Sequence, residues 1–254
     1  ITFDCPDQKI NKLSSDVMEE LCVLIKEIST APQKVISFES AKKDIFIAGA
    51  DIEELQQIDS PEMAKEKAQF GQTLFKSIES LPQTTVAIIN GACVGGGCEL
   101  ALACDFRLAS DNPKTKIGLP EVKLGIIPGW GGTQRLPRLV GLPEALAIIL
   151  AGKIVPAEKA YRIKLVDRVI SSAQFKPQTE EFLESLKSKG FQENLVKRRQ
   201  PKNMLHKMLA YTMETPLARL YILKKAHQNV MKTTKGLFPA PLDPSVTPVT
   251  LVAS

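Results

Sequence analysis

The 254-residue chain has little histidine, only His206 and His227, and few aromatics, 6% of its residues with a single tryptophan. Ser-His-Asp triads and most metal centres rest on imidazole, so neither is expected. With so few aromatics there is no stacking platform for single-stranded nucleic acid. No apolar run approaches the roughly 20 residues that span a bilayer. No N-terminal targeting segment is visible. The opening "ITFDCPD" reads like the inside of a strand, so residues upstream are expected to be missing. The cysteines, Cys5, Cys22, Cys93, Cys98 and Cys104, fit neither a CxxC zinc spacing nor a disulfide framework. They read as small buried thiols in a reducing compartment, either the cytoplasm or, in a eukaryote, the mitochondrial matrix. A P-loop, a GxSxG elbow and an HExxH helix are all absent. "GACVGGG" lies between a strand and a helix, yet its spacing is not GxGxxG and there is no convincing βαβ unit with its acidic residue about 20 positions on. Chemistry here is expected to rest on carboxylates and backbone groups, with no metal.

Hydrophobic residues make up 44% of the chain and charged residues 24%, enough to bury a sizeable core. The net charge of +5 is uneven: Lys187 to Lys235 carries twelve Lys/Arg against Glu193 and Glu214, and the rest is net negative. Such a segment can face phosphates, an acidic partner or a membrane surface, or be a solvated set of helices.

Periodicity predicts a helix over 15–29, with Met18, Leu21, Ile25 and Ile28 on one face, and another from Pro61 to Pro82. Strands are expected at 34–40, 84–90, 105–110, 116–120 and 165–170. Further helices are expected from about Gly97 to Ala103 and at 143–151 and 156–163. From residue 178 the pattern is helical and basic, and the proline-rich end reads as irregular. The alternation argues an α/β chain. A core over 1–171 and a helical region with an irregular tail over 172–254 are the expected divisions.

Two carboxylates stand out. Glu99 follows three glycines in "CVGGGCELALACD" and is drawn into an apolar helix, where an unused carboxylate is costly. If that helix begins near Gly97, the N–H groups of Gly96 and Gly97 are free to face an anion. Glu121, in "IGLPEVKLGIIPG", follows Pro120 at a strand end with glycines on both sides. Alone it would read as a surface glutamate. Two carboxylates at one site can divide acid and base roles, because each perturbs the other. In "FIAGADI", Gly49 and Ala50 interrupt an apolar strand, as a plain turn or as a place where a ligand approaches the backbone.

"FIAGADIEEL", "NGACVGGGCELALACDFRLAS" and "IGLPEVKLGIIPGWGGTQRLPRLVG", in that order over roughly residues 1–170, resemble the crotonase, or enoyl-CoA hydratase/isomerase, family. "GLPEVKLGIIPGWGGTQRLPRL" and "KTTKGLFPAPL" are closer to one branch, the N-terminal part of multifunctional fatty-acid-oxidation α subunits, in which a 3-hydroxyacyl-CoA dehydrogenase part follows. The residues after Pro241 depart from that branch, where an apolar helix tends to follow "PAPL".

The resemblance implies a spiral of ββα units with a helical C-terminal part. It implies an oxyanion hole from the backbone N–H groups of Ala50 and Gly96, with Glu99 and Glu121 as catalytic carboxylates. Ala48, Gly49, Asp51, Gly97, Pro128 and Gly129 would contact the acyl-CoA thioester. Coenzyme A belongs to the substrate, so no separate cofactor is implied. The implied reaction is hydration of a trans-2-enoyl-CoA in fatty-acid β-oxidation, with 3-enoyl to 2-enoyl isomerisation as a companion activity. The implied assembly is a homo-oligomer or a subunit of a fatty-acid-oxidation complex, with no nucleic-acid partner. Two alternatives stand beside it: an isomerase or other acyl-CoA reaction on the same scaffold, and a non-catalytic module that binds through the basic tail.

Overall fold

A computed structural model describes residues 1–199, with Thr215, Lys224 and Gln228. Both histidines, "KTTKGLFPAPL", the proline-rich end and most of the basic segment lie outside the described residues.

The chain alternates strands and helices throughout. In order these are β1 (Thr2–Phe3), α1 (Ser15–Ile28), β2 (Val35–Ser40), β3 (Ile45–Ile47), α2 (Ile52–Gln56) and α3 (Pro61–Glu79). Then come β4 (Thr84–Ile89), β5 (Ala92–Val94), α4 (Gly96–Ala103), β6 (Phe106–Ser110), β7 (Lys116–Gly118) and a 3-10 turn at Glu121–Leu124. The described part closes with α5 (Gly132–Val140), α6 (Leu142–Ile149), β8 (Ile154–Pro156), α7 (Ala157–Arg162), β9 (Arg168–Ile170), α8 (Phe175–Ser185) and α9 (Lys189–Arg199).

Helix α1 starts where the Ser14 hydroxyl accepts from the Val17 N–H, and α3 where Ser60 caps Met63 ahead of Pro61. Both are side-chain caps that satisfy first-turn donors.

The strands form two sheets. One runs β1-β2-β4-β6-β9, all parallel; the other runs β3-β5-β7-β8, with only β8 antiparallel. The pairs β2/β3, β4/β5 and β6/β7 each place one strand in each sheet before the chain leaves into helix or turn. Three such steps make a stack of ββα units. Parallel sheets are covered on both faces, so their strands read as nearly unbroken apolar runs. Accordingly, every residue of β6 is buried, Arg107 included.

The main core fills the space between the sheets and α1, α3, α4 and α6, around Phe38, Phe46, Phe75 and Leu100. A second cluster lies on the other face of the larger sheet, where Val86, Ile88 and Phe106 meet Phe182 and Leu186 of the α8 region.

Arg107 is buried without being isolated. Its guanidinium donates to the carbonyls of Leu165, Ala101 and Cys104 and faces the Asp167 carboxylate. Arg199 of α9 reaches the same carboxylate at 2.9 Å. A buried charge is tolerable only with this kind of pairing. The strand expected at 165–170 is shortened to Arg168–Ile170 for a related reason. The Leu165 and Val166 N–H groups close the end of α7 on the Ala160 carbonyl, and Asp167 is committed to Arg107.

Candidate active site

The site forms where three chain turns leave the smaller sheet on one side. After β3, the Leu13 N–H donates to the Gly49 carbonyl and the Asp51 N–H donates to the Leu13 carbonyl. This parallel bridge, Leu13 opposite Ala50, uses the groups that flank Ala50 and turns the N–H of Ala50 itself the other way. Gly49 holds φ +108° there, a region that disfavours side chains.

After β5, Gly95 holds φ +58° and donates its N–H to the Gly118 carbonyl. Helix α4 then starts at Gly96, one residue earlier than expected, so the Gly96 N–H lies in a first turn with no intrahelical acceptor. The two turns touch: a Cβ built on Gly95 would lie 3.4 Å from the Gly49 Cα. Two backbone donors, Ala50 and Gly96, thus flank one cavity.

Every residue of α4 is buried, and Glu99 is only 2% exposed. Its Oε1 accepts from the Trp130 and Gly132 N–H groups, each at 2.8 Å. Burial raises its pKa to about 7; those two N–H groups and the Arg135 charge hold it from rising further.

Glu121 opens the 3-10 turn after β7 and is 8% exposed. Neither of its carboxylate oxygens has a hydrogen-bond partner. Burial first, then the Glu99 charge, raise it to about 8. The two carboxyls share a cavity of about 200 Å³. At neutral pH, the pair therefore favours holding one proton, and Glu121 is the better keeper of it.

Of the residues singled out from the sequence, Ala48, Gly49, Ala50, Asp51, Gly96, Glu99, Glu121 and Gly129 all line this cavity. Gly97 and Pro128 do not. A Cβ at Gly97 would sit 2.4 Å from the Ile47 carbonyl oxygen, so this glycine serves the packing of α4 on β3. Pro128 is buried. Asp51 is held by Lys12 at 2.8 Å, a partner that sequence reading did not supply.

Trp130 was also missed. A Cβ at Gly96 would sit 2.3 Å from its Cζ3, and one at Gly71 would sit 2.2 Å from its Cδ1. The indole is therefore wedged between α3 and α4 and meets Phe75 edge-on at 5.6 Å. The signal was present in "GWGG": the chain's one tryptophan is set among glycines.

Cys93, Cys98 and Cys104 are buried free thiols, and Cys5 and Cys22 are free and half-buried. Among the described residues, no group of His, Cys, Asp or Glu is arranged to hold a metal, and no helix is long and apolar enough to cross a membrane.

The family model described as enoyl-CoA hydratase/isomerase matches residues 1–237. The fatty acid oxidation complex subunit alpha of Aliivibrio fischeri is 40% identical over 242 residues, 94% of this chain and 33% of that protein. Its counterpart from Shewanella loihica is 40% identical over 243 residues, 95% of this chain and 33% of that protein. The chain thus spans about a third of the length of the curated relatives it matches. The crystal structure of an enoyl-CoA hydratase from Bacillus anthracis superposes with a TM-score of 0.66 at 32% identity, covering 90% of this chain and 85% of that one.

Proposed function

The chain belongs to the enoyl-CoA hydratase/isomerase family, and on that premise we propose that it adds water across the 2,3 double bond of a trans-2-enoyl-CoA. One observation carries the proposal: two buried carboxylates of unequal pKa share a cavity with two outward-turned backbone N–H groups.

The thioester oxygen accepts from the N–H groups of Ala50 and Gly96. Charge that develops there as an enolate is stabilised by donors already in place, about 2.7–4 kcal/mol for one such donor. Drawing electrons toward that oxygen makes C3 electrophilic. Glu99, ionised and oriented by the Trp130 and Gly132 N–H groups, takes a proton from water as the water oxygen bonds to C3. Glu121, which retains its proton, delivers it to C2. The water contributes OH to C3, and the C2 proton comes from Glu121. The proton on Glu99 then moves to the ionised Glu121 through the next water that enters the cavity, which restores the starting state of the pair. Acid–base catalysis by positioned groups contributes roughly 10²–10⁴-fold.

Isomerisation of a 3-enoyl-CoA uses less of the same site. In molecules whose Glu121 is ionised, its carboxylate, with neither oxygen bonded to another residue, would take a proton from C2 and return it to C4 while the oxyanion donors hold the dienolate.

The names of the relatives support a place in fatty-acid β-oxidation, as one part of a longer multifunctional chain in a fatty-acid-oxidation complex. The five unpaired thiols support a reducing compartment such as the cytoplasm. The test is hydration of crotonyl-CoA, followed as loss of enoyl-thioester absorbance, with the wild type, Glu99→Gln and Glu121→Gln. Turnover in the wild type that collapses in both variants supports the reading. A folded wild type that binds coenzyme A thioesters but turns none over refutes it.

A further inference from the structure

The backbone that holds Glu99 is itself held. The Trp130 and Gly132 N–H groups that meet its Oε1 belong to the peptide units 129–130 and 131–132. In a trans peptide the carbonyl points away from the N–H, so whatever takes the carbonyl also fixes the donor. The Gly129 carbonyl accepts from Gln72 Nε2 of α3 at 2.8 Å. The Gly131 carbonyl accepts from the Gln134 and Arg135 backbone N–H groups at the start of α5. For the unit between these two, the Trp130 carbonyl accepts from Arg135 Nη1 at 2.9 Å.

That middle unit is where the loop is freest. Gly131 holds φ +107°, and a glycine has many other conformations open to it. The Arg135 guanidinium closes over it, and a Cβ on Gly131 would clash with Nη1. The Arg135 side chain is 13% exposed, and its buried Nε has no hydrogen-bond partner. Such an orphaned donor is a cost that calls for a reason. The pair with Glu79 of α3 is a weak one: it spans 3.4 Å and Glu79 is 44% exposed. The bond to the Trp130 carbonyl is the stronger one.

Few other charges face Glu99 among the described residues. Glu121 shares its cavity, and the Asp51–Lys12 and Glu54–Lys67 pairs stand along the cavity wall. Arg107 of β6 is turned to the far end of α4, where it meets the Ala101 and Cys104 carbonyls and Asp167. Arg138, further along α5, is exposed. The Cys93 thiol and burial push the Cys98 thiol up, so it stays neutral. Arg135 is the cation that opposes the rise in the Glu99 pKa.

We propose that Arg135 is the positioning residue of the base: bonded to the Trp130 carbonyl, its guanidinium locks the loop whose two N–H groups aim the Glu99 carboxylate, and it supplies positive charge to that carboxylate. The proposal rests on the hydratase reading above and adds a residue outside the catalytic cavity. Arg135 acts on the reaction through Glu99, with its side chain shared between the loop and α3.

The test is the pH dependence of kcat/KM for crotonyl-CoA in the wild type, Arg135→Gln, Arg135→Lys and Glu79→Gln. The Glu99 side-chain carboxyl is followed in each by carbon-13 NMR. In Arg135→Gln a charge that favours ionised Glu99 is gone, so the Glu99 titration and the acid limb of the profile should move up by about half a pH unit or more. The loosened loop should lower kcat by about tenfold, while butyryl-CoA affinity by calorimetry stays within about twofold. Arg135→Lys keeps the charge and loses the two-armed fork, so the acid limb should stay in place while kcat falls by about threefold. Glu79→Gln should leave both the limb and kcat as in the wild type. An acid limb and a Glu99 signal unmoved in Arg135→Gln overturn the proposal. So does a Glu79→Gln variant that reproduces both losses, since Arg135 would then be a tie between α3 and α5. If Arg135→Gln does not fold, Arg135→Lys decides: wild-type kcat overturns the proposal, and a loss with the limb in place supports it. A folded wild type that hydrates nothing overturns the hydratase reading alone, and the Glu99 carbon-13 signal then decides the role of Arg135.

Discussion

Glu99 and Glu121 follow consecutive strands of the same small sheet, yet the chain treats them differently. Glu99 lies inside a wholly buried helix, and one of its oxygens accepts two backbone N–H groups. Glu121 lies in a single 3-10 turn, is nearly as buried, and has no hydrogen-bond partner. Burial raises both, but the two N–H groups hold Glu99 near 7 while the charge of Glu99 carries Glu121 to about 8. Two N–H groups from other residues favour the ionised form of Glu99 and assign it the base, while Glu121, burial-raised and beside the Glu99 charge with no such donor from another residue, is assigned the acid.

The largest test of this division is catalytic. Glu99→Gln and Glu121→Gln should each lower kcat for hydration by roughly 10²–10⁴-fold, with little change in the affinity for a saturated acyl-CoA. A drop in only one of the two variants would break the symmetry of the need for both. Next is the donor wall beside Glu99. Gly96→Ala places a methyl against the Trp130 ring, and displacing the turn should cost about 10²-fold in kcat. Adding Trp130→Ala should recover part of that loss, because neighbours that share a contact are not additive.

The comparison also reaches stability. Glu121 has a raised folded-state pKa, so between its ordinary 4.5 and about 8 the native state holds a proton that the unfolded chain has released. Its contribution to stability is therefore greatest at low pH and falls as pH rises through that window. Glu121→Gln removes the penalty. The variant should exceed the wild type by up to about 5 kcal/mol at pH 8.5, or roughly 10–20 °C in Tm, and the difference should shrink toward pH 5. Thermal melts of both proteins across pH 5–8.5 check this. Glu99→Gln should show the same sign over a narrower window, ending near 7. The smallest effect is expected at the half-exposed Glu54–Lys67 pair. Lys67→Met should change unfolding free energy in urea by less than about 1 kcal/mol.

Much of this was legible in the sequence, for identifiable reasons. Helices α1 and α3 carry side-chain caps and a clear apolar period, and β4 is β-branched at every position but Ala87, so they fall close to their expected bounds. Strands β5 and β8 each have three residues, too few for a period to show, whereas β7 falls within the strand expected at 116–120 and β3 within the apolar stretch before Gly49. Helix α5 was hidden by Gly132 at its start and Pro137 within it. Both glutamates could be singled out, Glu99 by its cost in an apolar helix and Glu121 by its strand-end position, but only family resemblance paired them. Their meeting depends on β5 and β7 lying side by side in the small sheet, a long-range fact that no local pattern holds. Trp130 escaped for the same reason: its two glycine notches, at 71 and 96, come from different helices.

The most direct measurement is a carbon-13 NMR titration of glutamate-labelled protein, with Glu99→Gln and Glu121→Gln spectra used to assign the two side-chain carboxyl signals. Two carboxyls that titrate near 7 and 8, with the Glu121 signal moving to lower pH once Glu99 is neutralised, are the predicted result. Two carboxyls that both titrate near 4.5, or a Glu121 signal indifferent to Glu99, would contradict a site built on one proton held between two carboxylates.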